Sequence, residues 1–340
     1  MSILKRIAPD FLKQSFIRDY YYNLLFLGDL IANYYYDFRR FLKYSATNNP
    51  YGSKQRHQGR ITAHYHQIEK GLSLKNTRVG FGKEVVRHLI NMLESYQQQY
   101  GSDELSQIAL NTLLAYYQFN QEQGVTNPEL YARLISLKQG QKQFEGHLGG
   151  GVIEVSKAQI QQRSTINFRE FANSRYSIRQ FDPDRELSLE VIKNAVTMAI
   201  KTPSVCNRQT WKVFAFSDRN SKTRVLSHQN GNRGFGDSAS HVLIVTCDLN
   251  YFMNASERNQ CFVDGGMFAM SLVYALHSLG VGTCCLNWSA DYKRDLALKQ
   301  EAQIEPSESI VMLIAVGQLP DNLTVASSPR KNLEQVLFLK

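Results

Sequence analysis

The feature that most constrains this chain is a change of hydrophobic period at Gly149-Gly150-Gly151. Three successive glycines sit poorly in a helix, because glycine loses more backbone freedom on ordering than any other residue. Before them, Val86, Leu89, Ile90, Leu93 and Tyr96 recur at helical spacing, as do Leu105, Ile108, Ala109, Leu113, Tyr116 and Tyr117, which predicts at least two amphipathic helices. The stretch from Thr47 to Arg60, rich in Asn, Gly, Pro and Gln, reads as a loop. After the glycines, short β-rich runs alternate with helical patterns, as in a sheet packed by helices. The segment from Gly146 to Thr165 is the candidate connector, with 151–165 dividing a helical region, 1–150, from a second unit, 166–340.

Within that second unit Ser188 can cap a helix whose apolar face is Leu189, Ile192, Val196 and Ala199, and Pro203 ends it. Strands are predicted at Trp211 to Phe216, His241 to Cys247, Thr283 to Leu286 and Ile310 to Val316; the last three are apolar enough to be buried on both faces. A helix from about Cys261 to Leu279, closed by Gly280, lies among them. The class is α+β or α/β.

Length and charge narrow the partners. A chain of 340 residues exceeds the ~100–200 typical of one domain, and a hydrophobic share of 43% excludes global disorder. The net charge of +9 is uneven: residues 1–165 hold 20 Lys/Arg against 13 Asp/Glu, and residues 166–340 hold 19 against 17. The tyrosine runs Tyr20-Tyr21-Tyr22 and Tyr34-Tyr35-Tyr36 lie in the most basic part. Such an N-terminus reads either as a solvated face with its tyrosines docked on the core, the leading expectation, or as a weak contact for a membrane surface or anionic polymer. No nucleic-acid motif accompanies the charge, so nucleic acid is not an expected partner.

The stretch from Leu24 to Ala32 is too short for the ~20 residues of a bilayer span. No apolar core precedes Asp10 as a secretion signal would require. Five cysteines, Cys206, Cys247, Cys261, Cys284 and Cys285, form no C-x-x-C pair. An odd number of thiols suits a reducing compartment, and a cytoplasmic location is expected. No metal site is expected either, since His64 and His66 have no cysteine cluster beside them.

Four clusters could carry chemistry. In Arg175-Tyr176-Ser177-Ile178-Arg179, two guanidinium forks and a hydroxyl suit a phosphate ester, although such a string is also a common solvated helix end. In Pro203-Ser204-Val205-Cys206-Asn207-Arg208-Gln209, uncharged donors and acceptors between a helix and a strand could read a heterocycle or simply cap a turn. Gly280 to Trp288, including Leu286, Asn287 and Trp288, enters a strand whose end can offer backbone N–H groups. Arg330 and Lys331 could complete a phosphate pocket or be solvated surface.

In this order and at these separations the clusters resemble the nitroreductase family of flavoproteins. The matching residues are Arg175, Ser177, Arg179 and Phe181; Pro203, Ser204, Asn207, Gln209 and Trp211; Gly280 and Gly282; and Arg330 and Lys331. The resemblance covers about 166–340. Thr210 stands where the family usually has proline, and Tyr176 where Arg or His is frequent.

The resemblance implies an α+β fold, a mixed sheet flanked by helices in an intertwined homodimer with shared FMN sites, here preceded by the helical N-terminal region. It implies NAD(P)H as hydride donor, a small-molecule electron acceptor, and chemistry carried by the flavin with no catalytic side chain. By position, Arg175, Ser177, Arg330 and Lys331 would hold the phosphate, with Tyr176 beside them, and Arg179 would face the pyrimidine side of the ring. Pro203, Ser204, Asn207 and Gln209 would come from the neighbouring subunit, and the backbone at Leu286, Asn287 and Trp288 would donate toward N5. Asn232, in Asn230-Gly231-Asn232-Arg233-Gly234, would contact the ring or belong to a plain turn.

The polar stretch His66 to Leu72 and Gly80-Phe81-Gly82 resembles extensions on nitroreductase-like proteins linked to bacterial surface polysaccharide production, or else is a helix end with Glu69 and Lys70 solvated. The competing function is a non-catalytic dimeric assembly factor whose basic N-terminal region docks on a membrane or partner.

Overall fold

A computed structural model of the protein describes residues 15–140, 142 and 148–340. The first fourteen residues and the start of the expected connector, Gly146 and His147, lie outside the described residues, as does the stretch read for a secretion signal. Five helices fill the N-terminal region: α1 (Ser15–Tyr44), α2 (Lys54–Leu72), α3 (Lys83–Tyr100), α4 (Glu104–Glu122) and α5 (Pro128–Gln139). The loop expected over Thr47 to Arg60 is shorter than its composition suggested. Ser53 accepts the Arg56 N–H and starts α2 at Lys54, a cap that outweighs the polar composition behind it. Asp103 starts α4 in the same way, with Ser106 reciprocating. Helices α2 to α5 share one core around Ile61, Leu89, Leu93, Tyr96, Leu110 and Leu134, each almost wholly buried.

All three glycines of Gly149-Gly150-Gly151 adopt positive φ, at 84°, 101° and 83°, a turn that side chains on L-residues resist. The turn is docked on α4, where Asn111 donates to the Gly149 carbonyl and Gly151 N–H donates to Thr112 Oγ1. Beyond it run two short helices, α6 (Lys157–Ser164) and α7 (Phe168–Asn173), and then α8 (Leu189–Ala199). Ser188 takes the N-cap position of α8 without making the side-chain cap expected of it.

The second unit is an α+β fold. Its sheet holds β1 (Trp211–Phe216), β2 (His241–Asp248), β3 (Gly282–Asn287) and β4 (Glu308–Gly317), interleaved with α9 (Arg219–Ser227), α10 (Gln260–Ser278) and α11 (Tyr292–Glu301). The order is β1-β2-β4-β3, every strand pair antiparallel, with a register shift between Val245 and Thr246. A parallel bridge from Ser177 to Thr283 extends the β3 edge. All of β2 is buried, which explains its unbroken apolar run. One sheet face packs on α8 and α10 through Leu243, Val245, Phe268 and Leu272. The other packs Val242, Ile244 and Leu313 against Phe181, Leu226 and Leu298.

Helix α2 joins the two units, lying against the turns at Val205–Asn207 and Leu249–Tyr251. Gly59 lies against the second of these turns: a Cβ there would stand 3.0 Å from the Tyr251 Cα. Backbone cannot yield as a flexible side chain can, so Gly59→Leu should cost about 1–3 kcal/mol through overpacking. Denaturant unfolding would register this as a lower midpoint; an unchanged midpoint would mean that the units do not meet through this contact.

Candidate functional site

The 203–210 turn carries the clearest mark of imposed geometry. Cys206, Asn207 and Gln209 all adopt left-handed backbone conformations, with φ of 50°, 54° and 49°. Each such non-glycine residue costs on the order of 1 kcal/mol, and the cost is borne only where surrounding contacts over-determine the chain.

Those contacts are visible. Val205 N–H reaches both oxygens of Asp264, at 3.3 and 3.2 Å, and Gln260 Nε2 donates to the same carboxylate at 2.8 Å. Gln209 N–H closes the turn on Ser204 Oγ at 2.9 Å. Arg208 is buried; it donates to the Tyr251 carbonyl at 2.8 Å and holds Glu257 with both ends of its fork. Glu257 in turn accepts the Met253 N–H at 2.7 Å. Trp211, directly after the turn, stacks on Phe268 with ring centroids 4.8 Å apart. With Arg208 and Thr210 turned inward, Pro203 and Gln209 are left exposed and Ser204 and Asn207 half-buried.

The two carboxylates under this turn behave oppositely. Burial pushes the Glu257 carboxyl up, but hydrogen bonds from Arg208 and Met253 more than offset it, so the group sits below its ordinary value. At Asp264 burial dominates, and the hydrogen bonds from Gln260 and Val205 do not fully compensate, so the group sits above its ordinary value.

The arginine strip lies elsewhere. Ile178 N–H donates to the Thr283 carbonyl at 2.8 Å, which seats Arg175, Ser177 and Arg179 along β3. Arg175 lies close enough to Cys285, and Arg179 to Cys284, for each cation to favour the thiolate, although burial still pushes both thiols up. Tyr176 and Arg179 are exposed, and Arg175 and Ser177 half-buried. Because the Thr283 carbonyl points away from β4, strand alternation directs the main-chain groups of Cys285 and Asn287 outward as well. The main-chain groups of Leu286 therefore face β4, with which it pairs at Leu313. The Asn287 carbonyl accepts from Gln229 Nε2 at 3.1 Å.

Trp288 is fixed from behind, its indole N–H donating to Asp295 at 2.9 Å. The other Asp295 oxygen accepts from Tyr36 of α1 at 2.7 Å and pairs with Lys299 at 2.6 Å. Asn232 directs its amide N–H groups into its own turn, at the Leu226 and Gln229 carbonyls. Arg330 and Lys331 lie on the exposed tail after β4; the Arg330 guanidinium donates to the Ser328 carbonyl, and Thr324 N–H ties the tail to Gln180.

The amide turn and the arginine strip thus occupy opposite edges of the sheet and different levels along it: Trp211 is level with Cys247 and Ser309, whereas Ser177 bridges Thr283, level with Val316 and His241. Trp211 opens β1, Asn287 closes β3, and two strands stand between them. Three strand spacings amount to about 14 Å, so one chain does not bring the two sets together.

Arg208, Glu257, Asp264 and Asp295 were not singled out as site residues by sequence reasoning. Asp264 alone leaves a trace there, a lone carboxylate inside the apolar run Cys261 to Met270. Among the described residues no group of three or more His, Cys, Asp or Glu side chains could hold a metal.

A sequence model described as Nitroreductase family matches residues 172–231 and 221–318. The oxygen-insensitive NAD(P)H nitroreductase of Salmonella typhimurium is 34% identical over 77 residues, a stretch that is 22% of this chain and 36% of that protein. The match therefore spans about a third of that relative's length. Among solved structures, an FMN-dependent nitroreductase from Clostridium difficile aligns with 50% of this chain and 98% of its own, at 18% identity and a TM-score of 0.43. A nitroreductase family protein from Streptococcus pneumoniae aligns with 51% of this chain and 100% of its own, at 20% identity and a TM-score of 0.44.

The Glu257 clamp makes stability depend on pH. A carboxylate held below its unfolded value, ~4.3 for Glu, contributes stability that is fully present above that value and lost as pH falls through the lower, folded one. Glu257→Gln leaves Arg208 buried without its counter-charge and should cost about 3–5 kcal/mol near neutrality. Urea midpoints measured between pH 3 and 7 should fall with acid in the wild type and less steeply in the variant. Parallel curves would show that the pair does not hold the turn.

Proposed function

With residues 172–318 carrying the nitroreductase family's pattern, we propose that the protein is an FMN-dependent oxidoreductase that accepts hydride from NAD(P)H and passes reducing equivalents to a small acceptor. The observation that carries this reading is the pair of half-sites on opposite edges of the sheet, one cationic and one built of amides. Phosphate and a neutral heterocycle, the two ends of FMN, need those two chemistries.

The residues fit the group. Arg175 and Ser177 lie on a strip fixed to β3, where their forked and hydroxyl donors meet a phosphate. Arg330 and Lys331 join them from the tail, which runs past Gln180. Arg179 is exposed and would face the pyrimidine side of a bound ring, where its positive charge would favour the reduced, anionic flavin. Outward main-chain groups at Cys285 and Asn287, rather than Leu286, would serve the face near N5, and Trp288 is held in place through Asp295. Asn232 fits the plain-turn alternative better, because its amide N–H groups are already engaged. Bound FMN supplies the hydride chemistry, and the protein binds, orients and shields it. Cysteine chemistry is not needed: burial pushes the Cys261 thiol up to about 11 and Cys284 up as well, as befits packing residues.

Ser204, Asn207 and Gln209 reach the ring from a second chain, because in their own chain they stand on the far edge of the sheet. A homodimer with two shared sites follows. Helix α2 backs the same turn, and a sugar-related or carrier-linked molecule is the acceptor class we assign. Among the described residues no helix is long and apolar enough to span a bilayer.

Purified protein should be yellow and should bleach when NADH or NADPH is added without oxygen; colourless or redox-silent protein would favour the assembly-factor reading. Arg175→Ala combined with Arg330→Ala should weaken FMN binding at least tenfold, since hydrogen bonds to charged groups contribute about 1.5–3 kcal/mol each. Flavin fluorescence titration measures this, and unchanged affinity would remove both residues from the phosphate site.

A further inference from the structure

Helix α1 stands partly free of the body, and its exposed side chains are the wrong kind to face water. From Tyr20 to Ile31 every residue is exposed, and nine of those twelve are Tyr, Leu, Phe or Ile. The leading expectation that the tyrosine runs dock on the core is not met: Tyr20, Tyr34 and Tyr35 are 61%, 69% and 58% exposed, and only Tyr36 of the two runs is tied to the body. A helix apolar on most of its circumference is stable only when something covers it.

The spacing of the uncovered residues identifies the cover. Tyr20, Leu24, Leu27, Ile31, Tyr34 and Phe38 follow one another at alternating steps of four and three, and all six are at least half exposed. That is the seam of a coiled coil, with Leu24, Ile31 and Phe38 at a positions and Tyr20, Leu27 and Tyr34 at d. The opposite stripe is the one that meets the body: Asn33 accepts the Tyr292 N–H, Tyr36 donates to Asp295, and Arg40 donates to the Pro306 and Glu308 carbonyls. Docking therefore turns the seam outward. Gly28 flanks it at an e position with nothing within 4 Å of where a Cβ would stand, leaving room for a second helix.

We propose that α1 pairs with α1 of a second copy of this chain through the seam from Tyr20 to Phe38. The six seam residues with their neighbours Tyr21, Leu30 and Tyr35 offer about 800–900 Å² per chain if each contributes roughly half of a large side chain's surface, close to the ~800 Å² per partner of a stable interface. A central Ile at a and Leu at d favours two strands. From Tyr20 to Tyr36 the only charged residue is Asp29, an anion that a lipid phosphate would repel; the basic residues Arg18, Arg39 and Lys43 stand beyond the two ends of that stretch. This seam lies outside the family-matched residues and does not depend on flavin binding.

The test is oxidative cross-linking of the full chain. Leu27→Cys, on the seam, and Phe26→Cys, beside it and off the seam, change two residues that are 50% and 66% exposed. Both carry Cys285→Ser to silence the exposed native thiol. We expect intermolecular disulfide to form several-fold faster at position 27 than at position 26, and to drop to the position-26 rate when Leu24→Glu and Ile31→Glu are added; neither of these residues is in the core. Equal rates at the two positions, or a position-27 rate unmoved by the glutamates, would overturn the pairing. Wild-type protein that co-sediments with phosphatidylglycerol vesicles while Leu27→Cys fails to cross-link would assign the seam to a membrane instead.

Discussion

The buried contact between Arg208 and Glu257, with Asp264 seven residues further on in α10, is what the rest of the site depends on. Three residues in left-handed conformation would relax if left alone. They are held because an Arg with no solvent access is paired with the Glu257 carboxylate, and because the Val205 N–H has a carboxylate below it. Leaving that charge or those polar groups unpaired would cost more than the backbone strain. Strain at the 203–210 turn is thus the local consequence of satisfying buried polar groups, and its product is a row of outward amides.

A second constraint comes from the sheet. Antiparallel order β1-β2-β4-β3 separates the strand that follows the amide turn from the strand that carries the arginine strip. Neither half-site can migrate, since β2 and β4 between them are buried along almost their whole length. Under the proposed function this separation is the reason for pairing: a second chain supplies the half that the first holds on its far edge. The N-terminal helices are joined to both halves, α2 lying behind the amide turn and α1 reaching Trp288 through Tyr36 and Asp295.

Much of this was legible from the sequence. The strands were readable because buried ones are apolar runs bounded by turns, and Trp211–Phe216 is the span expected. The helix over 261–279 was readable from its length and its closing glycine. Less legible was the start of α2, because one cap residue, Ser53, decided it against the surrounding composition. The clamp was hidden for a different reason: Arg208 sits inside the amide cluster yet points inward, and its partner Glu257 lies 49 residues away. Periodicity carries no information about a long-range ion pair. The seam of α1 was obscured in turn by the assumption that tyrosines near a basic patch fold onto the core.

The central claim is that one flavin site is assembled from two chains, and a mixing experiment addresses it directly. Arg175→Ala protein and Asn207→Ala protein, each deficient in FMN binding, are mixed, allowed to exchange subunits, and titrated with FMN. In a symmetric dimer with shared sites, half of the exchanged pairs are hybrids carrying one intact site each, so binding should return to about a quarter of the wild-type sites. A mixture that binds no more FMN than its two components do separately would contradict a site shared between chains.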